Sequence, residues 1–242
     1  MVAAELRDRI LSGELRDGSL LPKQEDLFAE FRVSLPSIRE ALRILETEGL
    51  VTVLRGNTGG AAIHRPQANK LAYMLALLLQ YGGVGVDDAA SALRDLEALC
   101  ASLAAGREDR GKTIVPVLDA RNKSSRAALE DADEFVHQAR TFHEELVAGC
   151  GNETLILIVG SLESLWSAHV DQLVRRPSRL GAFGDLATRR KMLDDHVKLV
   201  RAIDRGDARR AEQQVRAHFS APERYDFIAT ATKVRAALLL DD

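Results

Sequence analysis

Apolar positions follow two rhythms along the chain, short and punctuated up to about residue 66 and long and helical after it. In the first stretch, Leu6, Ile10, Leu11 and Leu15 predict a short amphipathic helix that ends at Ser12-Gly13 or soon after. Gly18 to Pro22 then turns the chain into a second helix, Gln24 to Phe31, with Leu27, Phe28 and Phe31 on its apolar face. Ser34 is suited to cap a third helix and Pro36 to sit in its first turn. Ile38, Ala41, Leu42 and Leu45 recur at helical spacing until Gly49, leaving Ser37, Arg39, Glu40 and Arg43 on the outer side. Two strand-like runs follow, residues 50–54 and 61–64, joined by a loop whose three glycines supply the backbone freedom a hairpin turn needs.

Past a break at Arg65 to Asn69, centred on Pro66, the pattern predicts helices over 69–81, 87–106, 111–130, 132–149, 153–175, 184–205 and 207–220, and a last one from about 223 to 240. No strand-like alternation of useful length interrupts them. The expected fold is mainly α: a winged helix-turn-helix with a small β-hairpin wing over 1–66, then an all-α antiparallel helical bundle over 67–242.

Composition narrows the functional classes. With 46% hydrophobic and 29% charged residues over 242 positions, the chain has ample material for buried cores, and with 5% aromatic residues those cores are mostly aliphatic. Cys100 and Cys150 lack metal-ribbon or redox spacing, and no signal-like segment or membrane-length apolar run is present, so the reading is a reduced, cytoplasmic protein with no membrane partner. The formal net charge of −3 gives no global sign of nucleic-acid binding. Locally, nine basic side chains face ten acidic ones between Met1 and Pro66, so any phosphate contact depends on where the cations sit.

Three short helices and a hairpin describe a winged helix-turn-helix, in which the third helix enters the DNA major groove and the wing follows the backbone or reaches a minor groove. Lys23, Arg39, Arg43 and Arg55 fall on the elements expected to face double-stranded DNA, with Ser34 and Ser37 opening the third helix and Asn57 and Gly59 in the wing. Taken alone, Arg39 and Arg43 also fit an ordinary solvated helix face. The runs Leu6 to Gly13, Leu21-Pro22, Val33-Ser34, Ile38 to Leu42 and Leu45 to Leu50 together resemble the DNA-binding domain of GntR-family transcription regulators. The resemblance implies a regulator that binds a short palindromic operator as a homodimer. Glu25 and Leu35 stand where such relatives commonly carry arginine, which implies an altered operator preference.

In the bundle, His196 lies about as far before the Gly206-Asp207 turn as His218 lies after it, which puts both roughly 16 Å from the turn in an antiparallel hairpin at 1.5 Å per residue. His143, on an earlier helix, can join them. Reflection about Gly151 sets His143 near Val159 rather than His169. Three imidazoles in a bundle suit Zn²⁺ or another borderline divalent metal; each is equally open to being a core or surface histidine.

Arg94 with Leu96-Glu97, Phe142-His143 with Gly151-Asn152, His196 with Ala202-Ile203 and Gly206-Asp207, and Arg216 with His218 resemble the FCD ligand-binding domain of FadR-type GntR regulators. That resemblance implies His143, His196 and His218 as ligands of a divalent metal, Zn²⁺ or Ni²⁺, and a small organic-acid effector whose carboxylate Arg94 helps to hold. The aspartate that usually joins them is Ala139 here. The expected function is a ligand-responsive repressor, not an enzyme. The rivals are a metal-free sensor of acyl-CoA or another apolar effector, and a metal-dependent helical enzyme, which the lack of an accompanying nucleophile or base opposes. Arg94 can alternatively pair with Asp95 or Glu97, and Trp166 reads as bundle core.

Overall fold

The computed structural model describes residues 2–54, 60–66, 68–174, 185–219 and 232–240. It divides into two compact units, Met1–Gln67 and Ala68–Asp242.

The first unit holds α1 (Val2–Leu11), α2 (Gln24–Phe31), α3 (Leu35–Thr47), β1 (Val51–Leu54) and β2 (Gly60–Ile63). One core joins them, with Leu6, Leu27, Ile38, Leu45 and Ile63 wholly enclosed. Phe28 departs from the expected apolar face of α2 and stands 47% exposed, because Leu27 alone fills the buried position of this short helix. The turn between α2 and α3 passes through Arg32 at φ 51°, a left-handed conformation costly for a residue with a Cβ, in which its N–H still donates to Phe28 O. Ser34 then caps α3 by accepting from Ser37 N at 3.3 Å, and Pro36 in the first turn gives up no helical hydrogen bond.

β1 and β2 pair antiparallel with Val51 opposite Ile63 and Leu54 opposite Gly60. Glu46 Oε1 on α3 accepts from Val53 N at 2.9 Å and fastens the hairpin to the helix. The stretch read as a turn before α2 does more than turn: Leu21 N donates to Ala61 O and Ile63 N to Ser19 O, so residues 19–21 line the outer edge of β2. Such pairing depends on a partner some forty residues away, which no local pattern announces.

The second unit contains α4 (Ala68–Tyr81), α5 (Val86–Gly106), α6 (Arg110–Thr113), α7 (Val115–Ala127), α8 (Ala132–Ala148), α9 (Glu153–Val174), α10 (Leu186–Asp204) and α11 (Ala208–Phe219). The single helix expected over 111–130 is two, broken at Ile114. Pro116 has no N–H for a carbonyl one turn earlier and its ring disfavours a continuous helix, so it occupies the first turn of α7 instead. Residues 232–240 also correct the expected terminal helix. Val86 N donates to Thr232 O and Val234 N to Val84 O, which holds this segment extended beside the start of α5 before a 3₁₀ turn at Ala236–Leu239. The earlier part of that expected helix lies outside the described residues.

The α10–α11 hairpin is set by its turn. Gly206 takes φ 71°, Gly206 N donates to Ile203 O, and Asp207 N to Ala202 O, which satisfies the last carbonyls of α10. Asp207 Oδ1 accepts from Arg210 N and starts α11. A Cβ at Gly206 would approach the Arg110 guanidinium to 2.9 Å, and Arg110 itself donates to Asp204 O, so the turn is also packed from α6. Among the described residues no helix is long and apolar enough to cross a membrane.

Candidate functional site

In the first unit the described residues expected to meet DNA share one property, exposure. Lys23 precedes α2, Ser34 and Ser37 open α3, and Arg39 and Arg43 stand one turn apart on its outer surface, all exposed. Arg43 comes only within 3.9 Å of Glu40, with both side chains more than half exposed, which leaves the guanidinium mostly in solvent. The buried face of α3, Ile38, Ala41, Leu42 and Leu45, fixes which way these cations point. Arg55, Asn57 and Gly59 lie outside the described residues. Glu25 and Leu35, standing where arginine was expected, are exposed too.

In the second unit the histidines converge. Ring centroids lie 4.8 Å apart for His196 and His218, 5.0 Å for His143 and His196, and 5.1 Å for His143 and His218. One ring nitrogen from each lies within 4.8 Å of the other two. His196 and His218 are 1% and 3% exposed, and the side chain of His143 is 15% exposed. The three come from α10, α11 and α8, and Phe142 stacks flat on His196 with centroids 4.1 Å apart. Such a buried imidazole triad is a donor set that fits a borderline divalent cation, since three neutral nitrogens bind without adding charge and leave positions for an anionic group.

His169 takes no part. Its Nδ1–H donates to Leu165 O at 2.7 Å and its Nε2 accepts from Arg235 N at 3.0 Å, while burial holds its pKa below the usual value.

Arg94 on α5 donates to Asp95 Oδ1 at 3.3 Å and to Ser91 Oγ at 3.0 Å, the local pairing that stood as the alternative to effector binding. Asp95 also accepts from Arg216 on α11. Ala139, one turn before His143, is 6% exposed and packs with Phe135 and Leu193, so its position is closed by apolar side chains.

Two acidic residues near this region are buried although no sequence motif marks them as part of a site. Glu97 on α5 is wholly enclosed and its Oε1 bonds His143 Nδ1. Glu163 on α9 is 8% exposed, and burial, helped by the charges of Glu97 and Glu144, pushes its carboxyl up to about 9. Both lie on helices whose apolar periodicity masks a lone acid; the only sequence signal is an acidic residue on the buried face.

Comparison with known proteins places both units. Residues 1–59 match the bacterial regulatory proteins of the gntR family, and residues 88–221, more than half of the chain, match the FCD domain. The chain is a GntR-family regulator with an FCD domain. Its relatives include the HTH-type transcriptional repressor NanR of Cronobacter sakazakii, 26% identical over 91% of this chain and 82% of that protein. The gluconate operon transcriptional repressor of Bacillus licheniformis is 27% identical over 85% of this chain and 75% of that protein. A solved GntR structure from Streptococcus agalactiae shares the fold with a TM-score of 0.64 at 20% identity, covering 92% of this chain and 98% of that one. In this GntR regulator the FCD match contains Arg94, Glu97 and all three converging histidines, and the family's DNA-binding match contains α1, α2, α3 and β1.

Proposed function

We propose that this regulator is a cytoplasmic homodimeric repressor that binds a palindromic double-stranded operator and responds to a small organic acid held in its FCD domain. The observation that carries the sensing half is the buried triad of His143, His196 and His218. In this reading the triad holds Zn²⁺ or Ni²⁺, which supplies a Lewis-acidic anchor for an oxygen ligand, and Arg94 exchanges Asp95 for the effector carboxylate. The name of the Bacillus licheniformis relative, which regulates a gluconate operon, supports a carboxylate of this size.

For the DNA-binding half, Lys23, Ser34, Ser37, Arg39, Arg43, Arg55, Asn57 and Gly59 are the proposed contacts. The first unit carries almost no net charge, so two copies and the exposed cations of α3 supply the attraction to phosphate. To switch operator occupancy strongly, the effector must prefer one arrangement of the protein over the other by several kcal/mol.

The test is elemental analysis of protein purified without a metal-affinity tag, followed by operator binding titrated with sugar acids and other small carboxylates. Near-stoichiometric metal, lost in His143→Ala, with operator affinity altered by a carboxylate, supports the reading. No uptake of Zn²⁺ or Ni²⁺ by the wild type sinks the metal site and turns the search to larger apolar or CoA-linked effectors, consistent with the apolar packing of Ala139.

A further inference from the structure

Glu97 is the one acidic side chain among the described residues with no exposed surface, and a carboxylate is expensive to bury without partners. Its Oε1 bonds Nδ1 of His143, while no hydrogen-bond partner meets its Oε2 among the described residues. The bond crosses from α5 to α8, so it is no accident of helical neighbours. A nitrogen occupied by a carboxylate cannot also ligate a cation, which leaves Nε2 as the only ligand atom His143 has. On α8 itself, the residue one turn before His143 is Ala139, which has no donor or acceptor to offer from its side chain.

We infer that Glu97 is the positioning residue of the imidazole triad: it accepts the Nδ1–H of His143, fixes the ring and its tautomer, and makes Nε2 a better donor toward the cation shared with His196 and His218. The inference rests on the three-histidine reading proposed above. The physical logic is that a neutral imidazole with a free choice of tautomer spends part of its population with the wrong nitrogen protonated, and a carboxylate on Nδ1 removes that choice. It also places negative charge beside an otherwise neutral donor set, the role that an aspartate at position 139 would have served by direct ligation. Glu163 does not compete for this role. Burial and the neighbouring charges of Glu97 and Glu144 push its carboxyl up to about 9, which keeps it protonated at neutral pH.

The test uses the full-length protein and the metals alone. Zn²⁺ and Ni²⁺ are titrated against a chromophoric chelator in the wild type, His143→Ala, Glu97→Gln and Glu97→Leu, and the histidine ring resonances of the metal-free proteins are compared by ¹⁵N NMR. Removing such a partner weakens metal binding by roughly 10- to 100-fold, with Glu97→Leu at the upper end and Glu97→Gln, which keeps an acceptor but loses the charge, at the lower. The Nδ1–H resonance of His143 shifts in Glu97→Gln and the tautomer becomes mixed in Glu97→Leu, an effect that a merely structural α5–α8 link would not produce. Wild-type affinity and an unchanged His143 tautomer in both Glu97 variants, with His143→Ala still defective, overturn the inference while leaving the metal site standing. Failure of the wild type to bind either ion is a different result: it overturns the three-histidine reading on which the inference rests. Glu97→Gln preserves shape and volume, so the comparison survives if Glu97→Leu does not fold.

Discussion

The two units of this regulator separate function from stability in opposite ways. In the first, α3 turns Ile38, Leu42 and Leu45 inward and Arg39 and Arg43 outward, so the residues that hold the fold and those available to DNA lie on different faces of one helix. In the second, the histidines are in the core itself: His196 is 1% exposed and stacked on Phe142, which is wholly enclosed. The difference teaches where mutation separates binding from folding. An exposed binding face can be altered without disturbing its support, whereas a buried site shares its support with the core.

The largest effect is expected where site and core coincide. Phe142→Ala removes a fully buried ring and should cost about 3–5 kcal/mol of stability in urea unfolding, with His196 reoriented as a result. A loss below about 1 kcal/mol would mean that the site can relax independently of the core, and would break the comparison.

Glu163 sharpens it through pH. Its folded carboxyl is raised from 4.5 to about 9, so the folded state holds a proton that the unfolded chain releases over that interval. Its contribution to stability is fully present below about pH 4.5 and is lost as pH rises toward about 9. Glu163→Gln should remove that downward slope, measured as unfolding free energy against pH; parallel profiles for variant and wild type would contradict it.

On the exposed face, Arg43→Ala should leave thermal unfolding nearly unchanged, within about 0.5 kcal/mol, yet weaken operator binding. If Arg43 meets a phosphate, the slope of log affinity against log salt falls by about one; if it meets a guanine, discrimination falls by about 1–3 kcal/mol. Equal losses of stability and DNA affinity would break the separation claimed for α3.

The smallest effect is at the start of the same helix. Ser34→Ala deletes the acceptor for Ser37 N and should cost about 1 kcal/mol of stability. Ser34→Asp should restore the cap but place negative charge toward DNA, so stability should recover while operator affinity does not.

Much of the fold was legible because its signals are local. The bounds of α2 agree with the sequence reading from Gln24 to Phe31, and Ser34 with Pro36 announces α3. The facing of His196 and His218 follows from counting outward from Gly206, since both distances along the helices are set by a constant rise. Pro116 was an equally local signal, and it breaks the helix that apolar periodicity alone would have continued.

What the amino-acid sequence determined by itself is therefore most of the helices, the wing hairpin, the turn at Gly206 and the buried face of α3, because hydrogen bonding, capping and periodicity act over a few residues. Only the tertiary structure decided that residues 19–21 edge the wing, that Arg94 chooses Asp95 and Ser91, and that Glu97 meets His143 across two helices. Those outcomes depend on the rotation and separation of packed helices and strands. These are fixed by the sum of many weak contacts over the whole core, a quantity that no short stretch of sequence contains.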